Sequence, residues 1–144
     1  MAVTFRIIPD RGLVVVWYAG HATIDETLAA TKAYITHPDY AAGQKQLIDL
    51  SRIESFEKDY VRFMNMQAAK AERFTSSGVE SLAVYIAPTP ISQEVSEMFA
   101  RSWEDVDAVV PLVQLNEADG LALIGQPEAT IAELMATVDE KTLQ

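Results

Sequence analysis

Cysteine is missing from all 144 residues. That excludes disulfides, thiolate metal sites and a cysteine nucleophile, and it suits a reducing compartment. Histidine is nearly as scarce. His21 and His37 are the two in the chain, with no H-E-x-x-H and no pair on one helical turn, so no metal site and no cofactor are expected. Glycine occurs six times, at Gly12, Gly20, Gly43, Gly78, Gly120 and Gly125. None falls within G-x-G-x-x-G or G-x-x-x-x-G-K-[ST], so neither phosphate-cradling loop is present, and Leu47-Ile48-Asp49 has no partner loop as a nucleotide-hydrolase strand. The longest unbroken apolar run, Leu13 to Ala19, is seven residues, far short of a membrane span. The first twenty residues lack a basic start, an apolar run and a small-residue cleavage pattern, and the expected location is the cytoplasm. Positive charge is the minority sign: 11 basic against 21 acidic residues, a formal net charge of −10. Duplex binders gain affinity by neutralising phosphates, so this balance argues against nucleic acid and against anionic membranes.

What is present is apolar patterning. Hydrophobic residues make up 49% of the chain, enough for one core without staples, and residues 1–144 fit a single domain. Phe5 to Ile8 and Leu13 to Tyr18 are β-rich runs around the turn residues Pro9-Asp10-Arg11-Gly12, which predicts an opening hairpin. Thr23 and Glu26 form a capping box for a helix with Ile24, Leu28, Thr31 and Ile35 facing inward, ending near His37 before Pro38. Gln46 to Leu50 reads as a short buried strand. A second helix is expected from about Phe56 to Phe74, with Val61, Met64, Ala68 and Ala71 as its central stripe, flanked by Tyr60, Phe63 and Phe74. Ser81 to Ala87 is the next strand. Thr89 as N-cap with Pro90 after it opens a third helix. Ala108 to Val113 is a last strand, and Pro111 belongs at an edge of the sheet or at the strand's start, not in the sheet centre. Asn116 caps a short helix that closes at Gly125, and Pro127 opens a final helix, about 127–138, with Ile131, Leu134, Met135 and Val138 on one side. Strands separated by helices imply parallel pairing with right-handed crossovers. The expected fold is α/β: a mixed, mostly parallel sheet of about five strands, opening with an antiparallel hairpin and flanked by helices.

Catalytic motifs are missing from this frame. No G-x-S-x-G elbow exists, and no Ser-His-Asp set follows from spacing. In α/β sheets, ligands and partners gather at the carboxyl ends of parallel strands. That edge should carry Asp49, Ser51 and Ser55, then Pro88 and Thr89, then Gln114 and Asn116. Ser55 reads either as an N-cap hydroxyl for the second helix, with Glu57 and Asp59 complementing its dipole, or as a hydroxyl open to phosphorylation.

The hairpin Phe5 to Tyr18, the Thr23-capped helix and the stretch Leu47-Ile48-Asp49-Leu50-Ser51-Arg52-Ile53 together resemble the SpoIIAA-like group, whose fold is shared with the STAS domains of anti-sigma-factor antagonists. Leu82 to Pro88, Val110-Pro111-Leu112 and Asn116-Glu117-Ala118 extend the resemblance over about Val3 to Ile124. It implies a bacterial, non-catalytic protein-interaction or regulatory module. In the antagonists an Asp-Ser-Ser or Asp-Thr-Ser element opens the helix after the central strand, and its hydroxyl is phosphorylated. Ser55 stands at that position here, between Glu54 and Phe56-Glu57. The alternative expectation is a small apolar-ligand binder with a pocket of a few hundred Å³ between sheet and helices, near Trp17, Phe63, Tyr85 and Trp103. An unrecognised enzyme would instead show a buried acid pair in a cleft. Met66, off the apolar stripe, and the final helix, beyond the resemblance, both hint at a homodimer.

Overall fold

The structure, a computed structural model, describes residues 2–143. Five strands form one sheet in chain order: β1 (Val3–Ile8), β2 (Leu13–Ala22), β3 (Lys45–Phe56), β4 (Ser81–Ile86) and β5 (Val109–Gln114). β1 and β2 pair antiparallel, and β2 through β5 run parallel. The hairpin turn is a short 3₁₀ segment, Pro9–Arg11, closed by Gly12 at φ 60°, a left-handed conformation that glycine adopts without penalty. The edge position expected for Pro111 holds: its strand, β5, is outermost, where a missing N–H costs no ladder bond.

Because each parallel connection steps the same way across the sheet, right-handed crossovers put their helices on one face. These are α1 (Ile24–Ile35), α2 (Tyr60–Thr75) and α3 (Pro90–Ser102). Ile24, Phe63, Met66, Phe74, Val95 and Phe99 from them pack with Tyr18, Ile48, Leu50 and Tyr85 from the sheet. On the opposite face lie α4 (Glu117–Leu123) and α5 (Ile131–Leu143). Leu121, Ile124, Ile131 and Leu134 bury themselves there against Ile8, Leu13, Val15, Leu47, Val84 and Ile86. α4 approaches the sheet closely at Gly120, where an added Cβ would collide with the Ile86 side chain.

Four expectations need correction. The final helix begins at Ile131, not Pro127, with the Thr130 hydroxyl accepting from the Glu133 amide at 3.1 Å. Its apolar side is covered by its own domain, and Arg6 on β1 pairs with Asp139 at 2.8 Å across the same seam. α1 is turned by about one residue, so that Thr27 and Tyr34 are buried while Leu28 is exposed. β3 is twelve residues long instead of five, running through Ser51 to Phe56. α2 therefore starts four residues late, capped by Asp59, whose carboxylate accepts from the Arg62 amide at 3.1 Å.

That late start goes with a different buried face. Phe63, Met66, Gln67 and Phe74 point inward, while Tyr60, Val61 and Met64 are 58%, 75% and 50% exposed. Met66 is thus core. Both sequence hints of a homodimer, this residue and α5, are used within one chain.

Candidate functional site

β4 pairs with β3 over Gln46 to Asp49 and no further. Beyond Asp49, β3 follows β2 alone, as a two-stranded ribbon that leaves the sheet. Two register shifts, near Ala19 and near His21, place extra residues on the β3 side. Bulges of this kind bend and twist a ribbon, and here they carry Ile53 and Phe56 back over the helical core.

The ribbon splits the seven sequence-predicted residues into two groups. Asp49 lies in register with Ile86, and Ile86 with Gln114, so these three share one row at the carboxyl edge. Asp49 is buried, and its carboxylate accepts from the Ser51 amide at 2.9 Å, bonding the chain two residues on. Thr89 and Asn116 are N-caps. The Thr89 hydroxyl accepts from the Ser92 amide at 3.1 Å, and Ser92 returns the bond by accepting from the Thr89 amide at 2.8 Å. The Asn116 side chain accepts from the Asp119 amide at 2.9 Å. Pro88 is exposed just before the first of these caps. Ser55 stands apart, roughly 13 Å along the strand from Ser51 at 3.3 Å per residue. It lies inside β3 and caps no helix, which corrects the N-cap reading.

Ser55 Oγ is 2.7 Å from His21 Nδ1. The register of β2 on β3 sets His21 opposite Ser55, a juxtaposition hidden by a separation of 34 positions along the chain. A serine and an imidazole at this distance are two parts of a nucleophile system, but the base needs a third group to orient it. Among the described residues His21 bonds no acid. No group of three His, Cys, Asp or Glu among them is placed to hold a metal ion, and no helix is long and apolar enough to cross a membrane.

Beside Ser55 opens a groove of about 710 Å³ between the start of α2 and the face of α3. Phe56, Tyr60, Met64, Ile91 and Met98 give it an apolar lining. Glu54, Glu57, Glu94 and Glu97 stand around it against Lys58 and Arg101. In the first turn of α2, Arg62 pairs with Asp25 of α1 and, at 3.5 Å, with Glu57. The sequence hides this groove because Tyr60 and Met64, both exposed, fall at the spacing of an inner apolar stripe of α2.

Between the sheet and α1, α2 and α3 lies a cavity of about 60 Å³. Tyr85 and Trp103 line it; Phe63 does not, and Trp17 belongs to the opposite face. An apolar ligand of the expected kind needs about 300 Å³ or more. The core is too full for that reading.

No family model matches the chain, and no curated protein matches it. Among solved structures, an uncharacterized protein of the DUF3478 family from Shewanella loihica PV-4, described as having a SpoIIAA-like fold, superposes with a TM-score of 0.54 at 14% identity. The match covers 85% of this chain and 92% of that one. The fold is SpoIIAA-like. The anti-sigma factor antagonist SpoIIAA in its unphosphorylated form also aligns, over 96% of this chain and 98% of its own, at 11% identity and a TM-score of 0.49. Within the SpoIIAA-like frame, the mixed, mostly parallel sheet of five strands, the opening hairpin and the flanking helices are as the sequence led us to expect. The extended ribbon bearing Ser55 and the late start of α2 are what this chain adds to that expectation.

Proposed function

We propose that this chain is a non-catalytic protein-interaction module of the regulatory, STAS-like kind, and that its docking surface is the groove between α2 and α3. The observation that carries the reading is the uncovered apolar lining, with Tyr60 and Met64 more than half or half exposed beside a concave surface. Contiguous apolar surface rimmed by polar groups marks a partner site more often than scattered exposed side chains do. Four carboxylates against two cations select a basic partner, and a helix with one apolar face fits such a groove. Ser55 is the point of control in this reading. A phosphate there would break the contact with His21 and add charge beside Glu54 and Glu57.

The test is a photo-crosslinking side chain at Met64 in protein expressed in its own host, with Thr4 on the far hairpin as control site. The reading expects a heterologous adduct at Met64 alone, lost in the E94K/E97K double variant and weakened by salt. An adduct between two copies of this chain would make a second copy the occupant. Adducts unaffected by the charge reversal would refute the acidic-groove reading. Fragment mass spectrometry of the same material reports any phosphate on Ser55.

A further inference from the structure

The buried face of α2 carries one charged residue, Lys70. Its ammonium sits 5.8 Å from the Phe99 ring centroid and 5.7 Å from that of Trp103, on the wall of the 60 Å³ cavity. Lys70 is partly open to solvent, and desolvation lowers its pKa from 10.5 to about 8. At neutral pH it is still mostly protonated. No aspartate or glutamate lines the cavity, and the ion pairs among the described residues all lie elsewhere. Ring faces attract a cation but accept its N–H protons poorly. A charge buried without a counter-charge is expensive to keep.

Other donors face the same space. Trp103 Nε1 donates to the Tyr85 oxygen at 3.1 Å, which leaves the Tyr85 proton unused. Gln46 lines the cavity, and its side-chain amide has no partner among the described residues. Thr27 spends its proton on the Thr23 carbonyl, and Thr31 spends its own on the Thr27 carbonyl. Three donors without acceptors, one of them charged, therefore converge on a void holding about four water molecules. Val16, Ile48 and Phe99 supply apolar wall, while the Tyr18 hydroxyl is bonded with Thr27 and the Tyr34 hydroxyl donates to Gln44.

We propose that this cavity is a binding site for a short-chain monocarboxylate of formate-to-propionate size, its carboxylate held by Lys70, Tyr85 and Gln46 and its alkyl end against the apolar wall. One cation neutralises one negative charge, so sulfate or a phosphate dianion would bring an unmatched charge into a low-dielectric site. The site is independent of the α2–α3 groove, and its failure would leave that reading untouched.

The experiment is a ¹H–¹⁵N titration of the full chain with sodium formate, acetate and propionate, run at constant ionic strength against sodium chloride and sulfate. Saturable shifts are expected at the Trp103 indole and at the amides of Thr27, Thr31 and Lys70. Bound acetate should also move the Lys70 amine titration upward. K70M should weaken binding about tenfold or more, the loss of one charge-assisted hydrogen bond. If K70M does not fold, Y85F keeps the ring, removes the donor and should weaken binding in the same direction. Equal shifts with chloride, no saturable shift with any of the three acids, or unchanged affinity in the variants would overturn the proposal.

Discussion

Replacing Lys70 by methionine should make the unliganded protein more stable, against the usual direction of core substitutions. Methionine keeps an unbranched stem of similar length and discards the charge. The distance from an ordinary 10.5 to about 8 corresponds to about 3 kcal/mol of burial cost for the ammonium. K70M should then gain about 3 kcal/mol at neutral pH. The pH dependence carries the mechanism. Below pH 8 the amine is charged in both states and the full cost is present. Between 8 and 10.5 the unfolded chain binds more protons than the folded one, so wild-type stability rises with pH through that window and the advantage of K70M shrinks toward zero. Tyr18, raised to about 12 by burial, and Tyr85, raised further, pull the other way at higher pH. They act equally on both proteins and cancel in the difference. Urea unfolding of the pair across this range, in chloride buffers free of carboxylates, reads the gap directly. A gap that does not change with pH, or a variant less stable than wild type at neutral pH, would refute the buried-ammonium account.

Other substitutions report on other parts of the fold. L134A, at a fully buried position of α5, should cost about 3 kcal/mol by urea unfolding. G120A drives a methyl into Ile86 where α4 meets the sheet and should cost about 1–3 kcal/mol through overpacking. T89A removes an N-cap and should cost about 1 kcal/mol. M64E, at a half-exposed position of the groove, should change stability by less than about 0.5 kcal/mol yet abolish the adduct formed from a crosslinking side chain placed at Tyr60 in the same groove. Light scattering should return a single mass near 15.9 kDa, since the faces of α2 and α5 that suggested pairing are occupied internally.

Much of the fold was legible because local chemistry and periodicity agreed. Pro9 to Gly12, Thr23, Thr89-Pro90 and Asn116 each mark an element end through a hydrogen bond or a fixed φ, and the structure uses all of them so. The phase of α2 was not legible. Its buried side carries Gln67 and Lys70, with Gln67 bonded to Ser102 at 2.8 Å, and polar residues on an inner face dilute the periodic signal. Its outer side carries Tyr60, Val61 and Met64, which imitate a core stripe. The length of β3 was hidden for a related reason. Ser51, Arg52 and Glu54 break the apolar run, because a two-stranded ribbon leaves one side to water. Since the groove depends on both features, the residues that form it were assigned elsewhere, while the predicted edge residues turned out mainly to cap and tie the backbone.

The strictly consecutive strand order has a consequence for how the protein is made. Each new strand emerging from a ribosome can add to the free edge left by the one before it, so the sheet grows vectorially without displacing earlier pairings. α5 behaves differently. Its bond from Asp139 to Arg6 spans 133 residues, and closing such a loop is affordable only after the intervening sheet has drawn the two ends together. Until then Ile8, Leu13 and Val15 of the hairpin lack their cover. Until α5 has been made and docked, the hairpin therefore carries an adhesive apolar flank, a window in which a chaperone would find it.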